Sequence, residues 1–119
     1  MIEPEFARRF AEEWIAAWNS HDLEAILAHY EDDFEMASEK IARRMGEPSG
    51  KLRGKAAVGQ YWAKGLQALP DLRFELKQIL TGVDSLTLYY LAADGRMAAE
   101  YFQFAASGKV TRAAAHYSI

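Results

Sequence analysis

The feature that most constrains the fold of this chain is a change of periodicity near its middle. From Pro4 to about Ala68 apolar residues recur with helical spacing, whereas from Leu72 to Ile119 they mostly alternate as in β-strands. Helices followed by strands are typical of an α+β domain, because a parallel α/β fold would interleave the two. The length of 119 residues predicts one domain, residues 1–119.

Composition excludes several classes of function. The chain has no cysteine, so it has no disulfide, thiolate nucleophile or cysteine metal site, and its three histidines include no His-x-x-x-His pair. We therefore expect no metal and no cofactor. A formal net charge of −3 argues against nucleic acid as a partner. The acidic N-terminus and the lack of a long apolar run lead us to expect a cytoplasmic protein with no membrane partner.

Three helices are predicted in the first half. The first begins near Pro4, which suits a first-turn position. Its aromatic residues recur at every fourth position: Phe6, Phe10, Trp14 and Trp18. Asp22 is a good N-cap for a second helix that extends to Tyr30, and a third runs from about Lys55 to a stop at Pro70.

The segment between the second and third helices is basic. Phe34 to Ala37 is predicted to be a short strand, and residues 39–55 a loop around one helical turn, Ile41 to Met45. This loop carries six basic residues against two acidic ones. Such a segment can attract an anionic ligand to a rim, but by default we interpret it as a solvated loop that pairs with the excess acids of the chain.

Two tight turns fix the predicted register of the last strands. If Asp94-Gly95 is a two-residue loop, Tyr89 lies opposite Glu100, and the same count at Ser107-Gly108 places Ala115 opposite Glu100. Directly opposed residues share a face of the sheet. A three-residue loop at either turn would shift the pairing by one residue and change the neighbours of Glu100.

The face that carries Glu100 is predicted to meet the helices. A buried carboxylate without a partner is costly, so Glu100 is a candidate catalytic acid or base, with Tyr89 as its hydrogen-bonding neighbour. The structural alternative is that Glu100 reaches water near the end of the sheet or pairs with an arginine.

A ligand pocket is predicted under the same face, because the alanines at positions 113 and 115 leave volume there. The alternative is that Trp14 and Trp18 fill this volume. A cavity of roughly 300 Å³ or more would favour a ligand-binding role. The predicted ligand-binding residues are Trp14, Trp18, Tyr30, Met36, Tyr61, Phe102, Phe104, Ala113, Ala115 and Tyr117.

The opposite, convex face of the sheet is predicted to form a homodimer interface. It combines aromatic and aliphatic residues with an arginine, as interfaces do. The predicted interface residues are Leu88, Tyr90, Tyr101, Arg112 and His116.

Several short motifs, in this order and spacing, resemble one known family. They are the segment from Trp14 to Leu23, Tyr30 to Asp33, Leu52 to Lys55, Gly95 to Val110 with its Glu100-Tyr-Phe-Gln-Phe104 core, and the terminal His116-Tyr117. Together they resemble the SnoaL-like branch of the nuclear transport factor 2-like superfamily. The resemblance implies a cone, in which a strongly curved mixed β-sheet wraps around about three helices and encloses an apolar pocket.

The catalytic residues of the family are only partly matched. In the ketosteroid isomerase relatives a tyrosine of the first helix corresponds to Trp14, the general base to about Ser38, and a protonated acid to Glu100. In the polyketide cyclases a histidine and an aspartate of the last strand correspond to Ala113 and Ala115. None of these mechanisms transfers whole.

Two functions follow from the sequence. The first is a protein that binds a small apolar, cyclic molecule without a specific assigned reaction. The second is an isomerase, cyclase or hydratase that uses Glu100 as general acid or base.

Overall fold

The computed structural model describes residues 1–119 as a curved six-stranded sheet that covers four helices. The α+β class predicted from the change of periodicity is therefore confirmed. The elements in chain order are α1 (Pro4–Asn19), α2 (Leu23–Leu27), β1 (Tyr30–Ala37), α3 (Glu39–Met45), β2 (Lys51–Arg53), α4 (Lys55–Ala68), β3 (Glu75–Thr81), β4 (Ser85–Leu91), β5 (Met97–Phe104) and β6 (Val110–Tyr117).

The helical hairpin forms as predicted up to its last turn. Helix α1 begins at Pro4, and the Asp22 side chain caps α2 by accepting a hydrogen bond from the Ala25 amide at 3.1 Å. Helix α2 ends at Leu27, so Tyr30 opens β1 and does not belong to the helix. The acidic run between Tyr30 and Phe34 obscured this strand, because aspartate is depleted in strands.

The basic segment contains more regular structure than the predicted loop with one helical turn. Helix α3 begins at Glu39 with Ser38 as its N-cap, and β2 pairs antiparallel with the end of β1. Its basic residues mostly pair with acids, as the default interpretation expected. The observed pairs are Lys40 with Asp94, Arg43 with Glu39, Arg53 with Glu35 and Lys55 with Asp32.

The sheet has the order β2-β1-β6-β5-β4-β3. Strands β1 and β6 are parallel, and all other neighbours are antiparallel. This order joins β1 to the last strand of the chain, so the inner faces of β1, β6, β5 and β4 lie side by side under α1 and α4. None of the helices combines the length and apolar character needed to cross a bilayer.

The predicted register between β4 and β5 is wrong by one residue. Leu88, and not Tyr89, lies opposite Glu100. The hairpin loop has three residues, 93–95, because Ala92 donates its amide to the carbonyl of Arg96. Gly95 closes this loop at φ 84°, which is the left-handed residue that a three-residue hairpin requires.

The predicted register between β5 and β6 is confirmed around Glu100, although the turn is longer than expected. Ala105 donates its amide to the carbonyl of Lys109, so this loop also has three residues and ends in the left-handed Gly108. A bulge in the pairing near Phe104 then restores the predicted pairs. Ala115 lies opposite Glu100 as expected.

The one-residue shift also changes the two faces of β4. Leu88 and Tyr90, predicted for the convex face, are buried in the core, whereas Tyr89 is 40% exposed on the outside. The convex face retains Tyr101, Arg112 and His116 from the predicted interface. Homodimerisation through this face stays a prediction.

Candidate functional site

A small pocket lies between the concave face of the sheet and helices α1, α3 and α4. It encloses about 60 Å³, which is room for roughly four to six water molecules or a similar number of ligand atoms. This is well below the roughly 300 Å³ of a site for a drug-sized ligand. The lining residues are Trp14, Trp18, Met36, Lys40, Arg44, Tyr61, Trp62, Gly65, Leu69, Leu72, Phe74, Tyr90, Ala92, Ala93, Glu100 and Tyr117.

Glu100 is the single acidic residue of this lining. Its side chain is buried, with 4% of the residue exposed, and Tyr90 donates a hydrogen bond to its Oε1 at 2.8 Å. Burial raises the pKa of Glu100 to about 7, against the opposing effects of the Tyr90 hydrogen bond and the positive charge of Lys40. A carboxyl group in this state exists in both protonation forms at neutral pH.

Four tyrosines surround Glu100. Burial raises the pKa of each phenol, and the negative charge of Glu100 raises it further, so none of them ionises near neutral pH. The four are Tyr30, Tyr61, Tyr90 and Tyr117. The site therefore offers one titrating carboxyl group among neutral hydroxyl groups.

Aromatic side chains form the wall of the pocket opposite α4. Phe74 stacks on Trp14 with ring centroids 5.7 Å apart and packs against Tyr90 at 4.8 Å. Asn19 fixes this wall, because its side chain donates to the Phe74 carbonyl at 3.0 Å and accepts from the Phe74 amide at 2.7 Å. The end of α1 thereby holds the start of β3 against the pocket.

One buried donor in the lining has no partner. Trp18 is 7% exposed, and its Nε1 is the only buried side-chain nitrogen or oxygen without a hydrogen bond. By contrast, Nε1 of Trp14 donates to the Tyr30 hydroxyl at 2.9 Å. An unsatisfied buried N–H costs about 1–3 kcal/mol.

Basic side chains lie at the mouth of the pocket. Lys40 contacts Asp94 at 3.1 Å and lies over the ring of Tyr117, with its Nζ 4.3 Å from the ring centroid. These contacts join α3 to the turn between β4 and β5. Arg44, one turn further along α3, is exposed and also lines the pocket.

The structure brings together about half of the predicted ligand-binding residues. Those that line the pocket with Glu100 are Trp14, Trp18, Met36, Tyr61 and Tyr117. Those that do not are Tyr30, Phe102, Phe104, Ala113 and Ala115. The predicted hollow at Ala113 is closed, because the residue is fully buried between Met36 and Phe102 of the neighbouring strands.

The hydrogen-bonding neighbour predicted for Glu100 is wrong, and the catalytic role of Glu100 stays a prediction. Glu100 points inward as expected, but Tyr89 lies on the outer face, and its neighbour Tyr90 donates the hydrogen bond. Sequence analysis also missed Lys40, Arg44 and the wall residue Phe74. The mouth residues carried a signal, because the basic segment had already been considered as a rim for an anion.

Two further features limit the chemistry of the site. Ser38, the position near which the resemblance places the general base of the isomerase relatives, is 5% exposed, and its hydroxyl accepts from the Lys40 amide as the cap of α3. No three histidine, aspartate or glutamate side chains come together as a metal site would require. Glu100 is the one carboxyl group among the residues that line the pocket.

The hydrogen bond from Tyr90 gives a direct test of the site. Removing the hydroxyl in Tyr90→Phe is expected to raise the pKa of Glu100 above about 7, because this hydrogen bond stabilises the charged carboxylate. The midpoint is measured by following the carboxyl band of Glu100 in infrared difference spectra against pH. Tyr89→Phe on the outer face is the matched control and leaves the midpoint unchanged. An unchanged midpoint in Tyr90→Phe would contradict the assigned hydrogen bond.

Comparisons with known proteins agree with this architecture. A SnoaL-like protein of unknown function from Burkholderia thailandensis E264 is 52% identical, with a TM-score of 0.97 over 99% of this chain and 98% of that chain. A hypothetical protein from Catenulispora acidiphila, with a ketosteroid isomerase-like fold and in complex with trimethylamine, is 14% identical, with a TM-score of 0.75 over 99% and 88% of the two chains. A provisionally assigned polyketide cyclase from Sinorhizobium meliloti is 13% identical, with a TM-score of 0.74 over 96% and 95%.

The two distant structures share the fold alone with this chain. No curated protein sequence matches it. The family model described as a SnoaL-like domain matches residues 11–118, which includes every element that lines the pocket. The resemblance inferred from the motifs is confirmed, and the chain belongs to the SnoaL-like domain family.

Proposed function

We propose that the protein binds a compact carbonyl compound in the pocket and that Glu100 exchanges a proton with the carbon atom next to the carbonyl group. The observation that carries this proposal is a buried carboxyl group, the single acid of an otherwise mostly hydrophobic pocket. A pKa of about 7 lets Glu100 accept a proton in one step and return it in the next. Reactions of the isomerase and cyclase kind need this chemistry.

The proposed step has a simple proton balance. The carboxylate of Glu100 takes the proton as the C–H bond breaks, and the electron pair moves to the carbonyl oxygen as an enolate. The unpartnered Nε1–H of Trp18 is the donor that we assign to this oxygen, where negative charge develops. Protonated Glu100 then returns a proton to carbon.

The size of the pocket selects the ligand. About 60 Å³ accommodates roughly six ligand atoms, so a five-membered ring with one carbonyl oxygen is a suitable probe. The aromatic wall offers an apolar contact for such a ring. This volume is below the roughly 300 Å³ that the sequence analysis set as favouring a ligand-binding role.

A second function is binding without turnover. It is favoured by the replacement of two catalytic positions of the isomerase relatives, where this chain has Trp14 and the capping residue Ser38. In that case Glu100 and Trp18 hold a ligand through hydrogen bonds, and no bond to carbon is broken.

Cyclopentanone, with six heavy atoms, separates these functions. All three tryptophans of the chain line the pocket, so binding is read from intrinsic fluorescence. Proton exchange is read as loss of the α-proton signals of cyclopentanone in D₂O by NMR. We expect both a saturable fluorescence change and exchange faster than in buffer.

The remaining outcomes decide between the functions. Binding without faster exchange would overturn the acid–base proposal in favour of the second function. No saturable fluorescence change with cyclopentanone would contradict both.

A further inference from the structure

One guanidinium group at the mouth of the pocket has no acidic partner. The pocket lining contains two cations, and of these Lys40 pairs with Asp94 at 3.1 Å. Arg44 makes no ion pair, whereas the adjacent Arg43 contacts Glu39 at 3.6 Å. Four of the six basic residues of segment 39–55 pair with acids, and of the other two Arg44 is the one that lines the pocket.

A glycine makes room for this guanidinium. Gly65 lies inside α4, where glycine costs about 1 kcal/mol relative to alanine. A Cβ at position 65 would come within 3.0 Å of Nη1 of Arg44, closer than ordinary packing allows. Glycine at position 65 therefore leaves room for the Arg44 side chain where it crosses α4, a helix that has a second glycine at position 59.

Arg44 lies at the mouth of the pocket, where it is close to a polar group of the lining. Burial raises the pKa of the Tyr61 phenol, and the positive charge of Arg44 is among the influences that oppose this shift. Tyr61 itself lines the pocket, so the guanidinium lies near a hydroxyl group of the lining. Both groups can donate hydrogen bonds to a ligand at the mouth.

We infer that Arg44 binds a carboxylate group of the ligand, so that the substrate class is a compact oxo carboxylate with its anionic end at the mouth. Its carbonyl end rests on the function proposed above, whereas the carboxylate end rests on Arg44 and Gly65. Arginine suits this role because its planar fork matches a carboxylate with two parallel hydrogen bonds. Lys40 is already engaged with Asp94 and Tyr117 and holds α3 in place.

The charges of the site fix the orientation of the ligand. Glu100 is buried at the inner end of the pocket and Arg44 is exposed at the outer end, so a carboxylate is repelled from one and attracted to the other. The apolar part of the ligand then lies along the aromatic wall. A neutral ligand of the same shape would lack this orientation.

The test compares two probes of equal size, 3-oxocyclopentane-1-carboxylate and 3-oxocyclopentane-1-carboxamide. The full chain is titrated with each at neutral pH and low salt, and the dissociation constants are read from tryptophan fluorescence. We expect the carboxylate to bind about tenfold tighter or more, since charge-assisted hydrogen bonds are about twice as strong as neutral ones. Arg44→Gln removes the difference by weakening the carboxylate alone.

Two further variants make the result specific. Arg43→Gln removes the same charge from the adjacent position, whose guanidinium pairs with Glu39, and is expected to retain the preference. Gly65→Ala makes the Arg44 guanidinium shift by a few tenths of an ångström without changing the charge, so it is expected to weaken the carboxylate less than Arg44→Gln does and to spare the carboxamide.

Several outcomes would overturn the inference. Equal affinities for the two probes in the wild type, or equal losses in Arg43→Gln and Arg44→Gln, would show that the preference does not come from Arg44. If both probes bind equally while cyclopentanone still exchanges its α-protons, the oxo carboxylate class is wrong and the proposed function stands. If no probe changes the fluorescence, both are wrong.

Discussion

Replacement of Glu100 by glutamine is expected to lower the protein-dependent rate of α-proton exchange in cyclopentanone by about 100-fold or more, which is the usual contribution of a positioned acid or base. Glutamine keeps the size of the side chain and an oxygen that accepts from the Tyr90 hydroxyl. It removes only the proton-accepting carboxylate. The rate is measured by NMR in D₂O at several protein concentrations.

Two controls isolate the role of the buried carboxyl group. Glu75→Gln changes an exposed carboxylate on β3 and is expected to leave the exchange rate unchanged. The fluorescence titration with cyclopentanone shows whether Glu100→Gln still binds the probe. A variant that binds and exchanges at the wild-type rate would exclude Glu100 as the acting base.

The same substitution is expected to reveal that Glu100 destabilises the protein at neutral pH. The pKa of Glu100 is about 7 in the folded protein and 4.5 in the unfolded chain, so the folded state binds more protons between these values. The free energy of unfolding therefore falls as the pH rises through this window. Full ionisation costs about 3 kcal/mol, at 1.36 kcal/mol per pKa unit.

Urea denaturation of wild type and Glu100→Gln at pH 4, 6 and 8 measures this effect. Below pH 4.5 both proteins carry a neutral side chain at position 100, and their stability difference is a constant set by the amide. Above it the variant gains stability relative to the wild type, by up to about 3 kcal/mol at pH 8. A stability difference that does not change with pH would contradict the raised pKa.

These two results together describe a cost of function. The carboxyl group that we propose to move protons is also the group whose burial weakens the fold above pH 4.5. A glutamine at the same position is expected to be more stable at neutral pH and inactive in exchange. Such a trade between stability and activity is common where a polar group is held in an apolar site.

The pairing of β5 with β6 around Glu100 is predicted correctly although the predicted turn between them is too short, because a bulge compensates for the extra turn residue. The turn after β5 is one residue longer than predicted, and the bulge near Phe104 restores the register before Glu100 is reached. Bulges depend on tertiary contacts and leave no reliable signal in the sequence. The inward direction of Glu100 was therefore predictable from the sequence, whereas the bulge was not.

The pairing of β4 with β5 contains no bulge that would compensate for the longer turn, so the predicted register at Glu100 is wrong. Leu88 and Tyr90 form the inner row of β4, and Tyr89 lies outside. The outer row begins with two polar residues, Ser85 and Thr87, so the hydrophobic alternation of this strand favours the observed inner row. The predicted register followed the assumed loop length instead. Asp94-Gly95 resembles a two-residue turn, although Ala93 also belongs to the loop.

The pocket itself was predicted in the right layer but at the wrong place along the sheet. Small residues at positions 113 and 115 indicated a hollow, yet the large side chains of Met36 and Phe102 cover Ala113. The cavity lies instead toward Tyr117 and α3, where Lys40 of α3 pairs with Asp94 of the turn at its mouth. The pairing of β1 with β6 decides this, and it joins residues about 77 positions apart, as for Met36 and Ala113.

The length of the loop at 93–95 is linked to which residues of β4 face the core. If one residue were gained or lost while the loop kept three residues, the register would shift and β4 would turn over, so that Tyr89 would face the carboxyl group and Tyr90 the solvent. The observed faces are kept when the loop itself changes to two or four residues. Alignments of homologues that place this gap one position away would equate the wrong tyrosines.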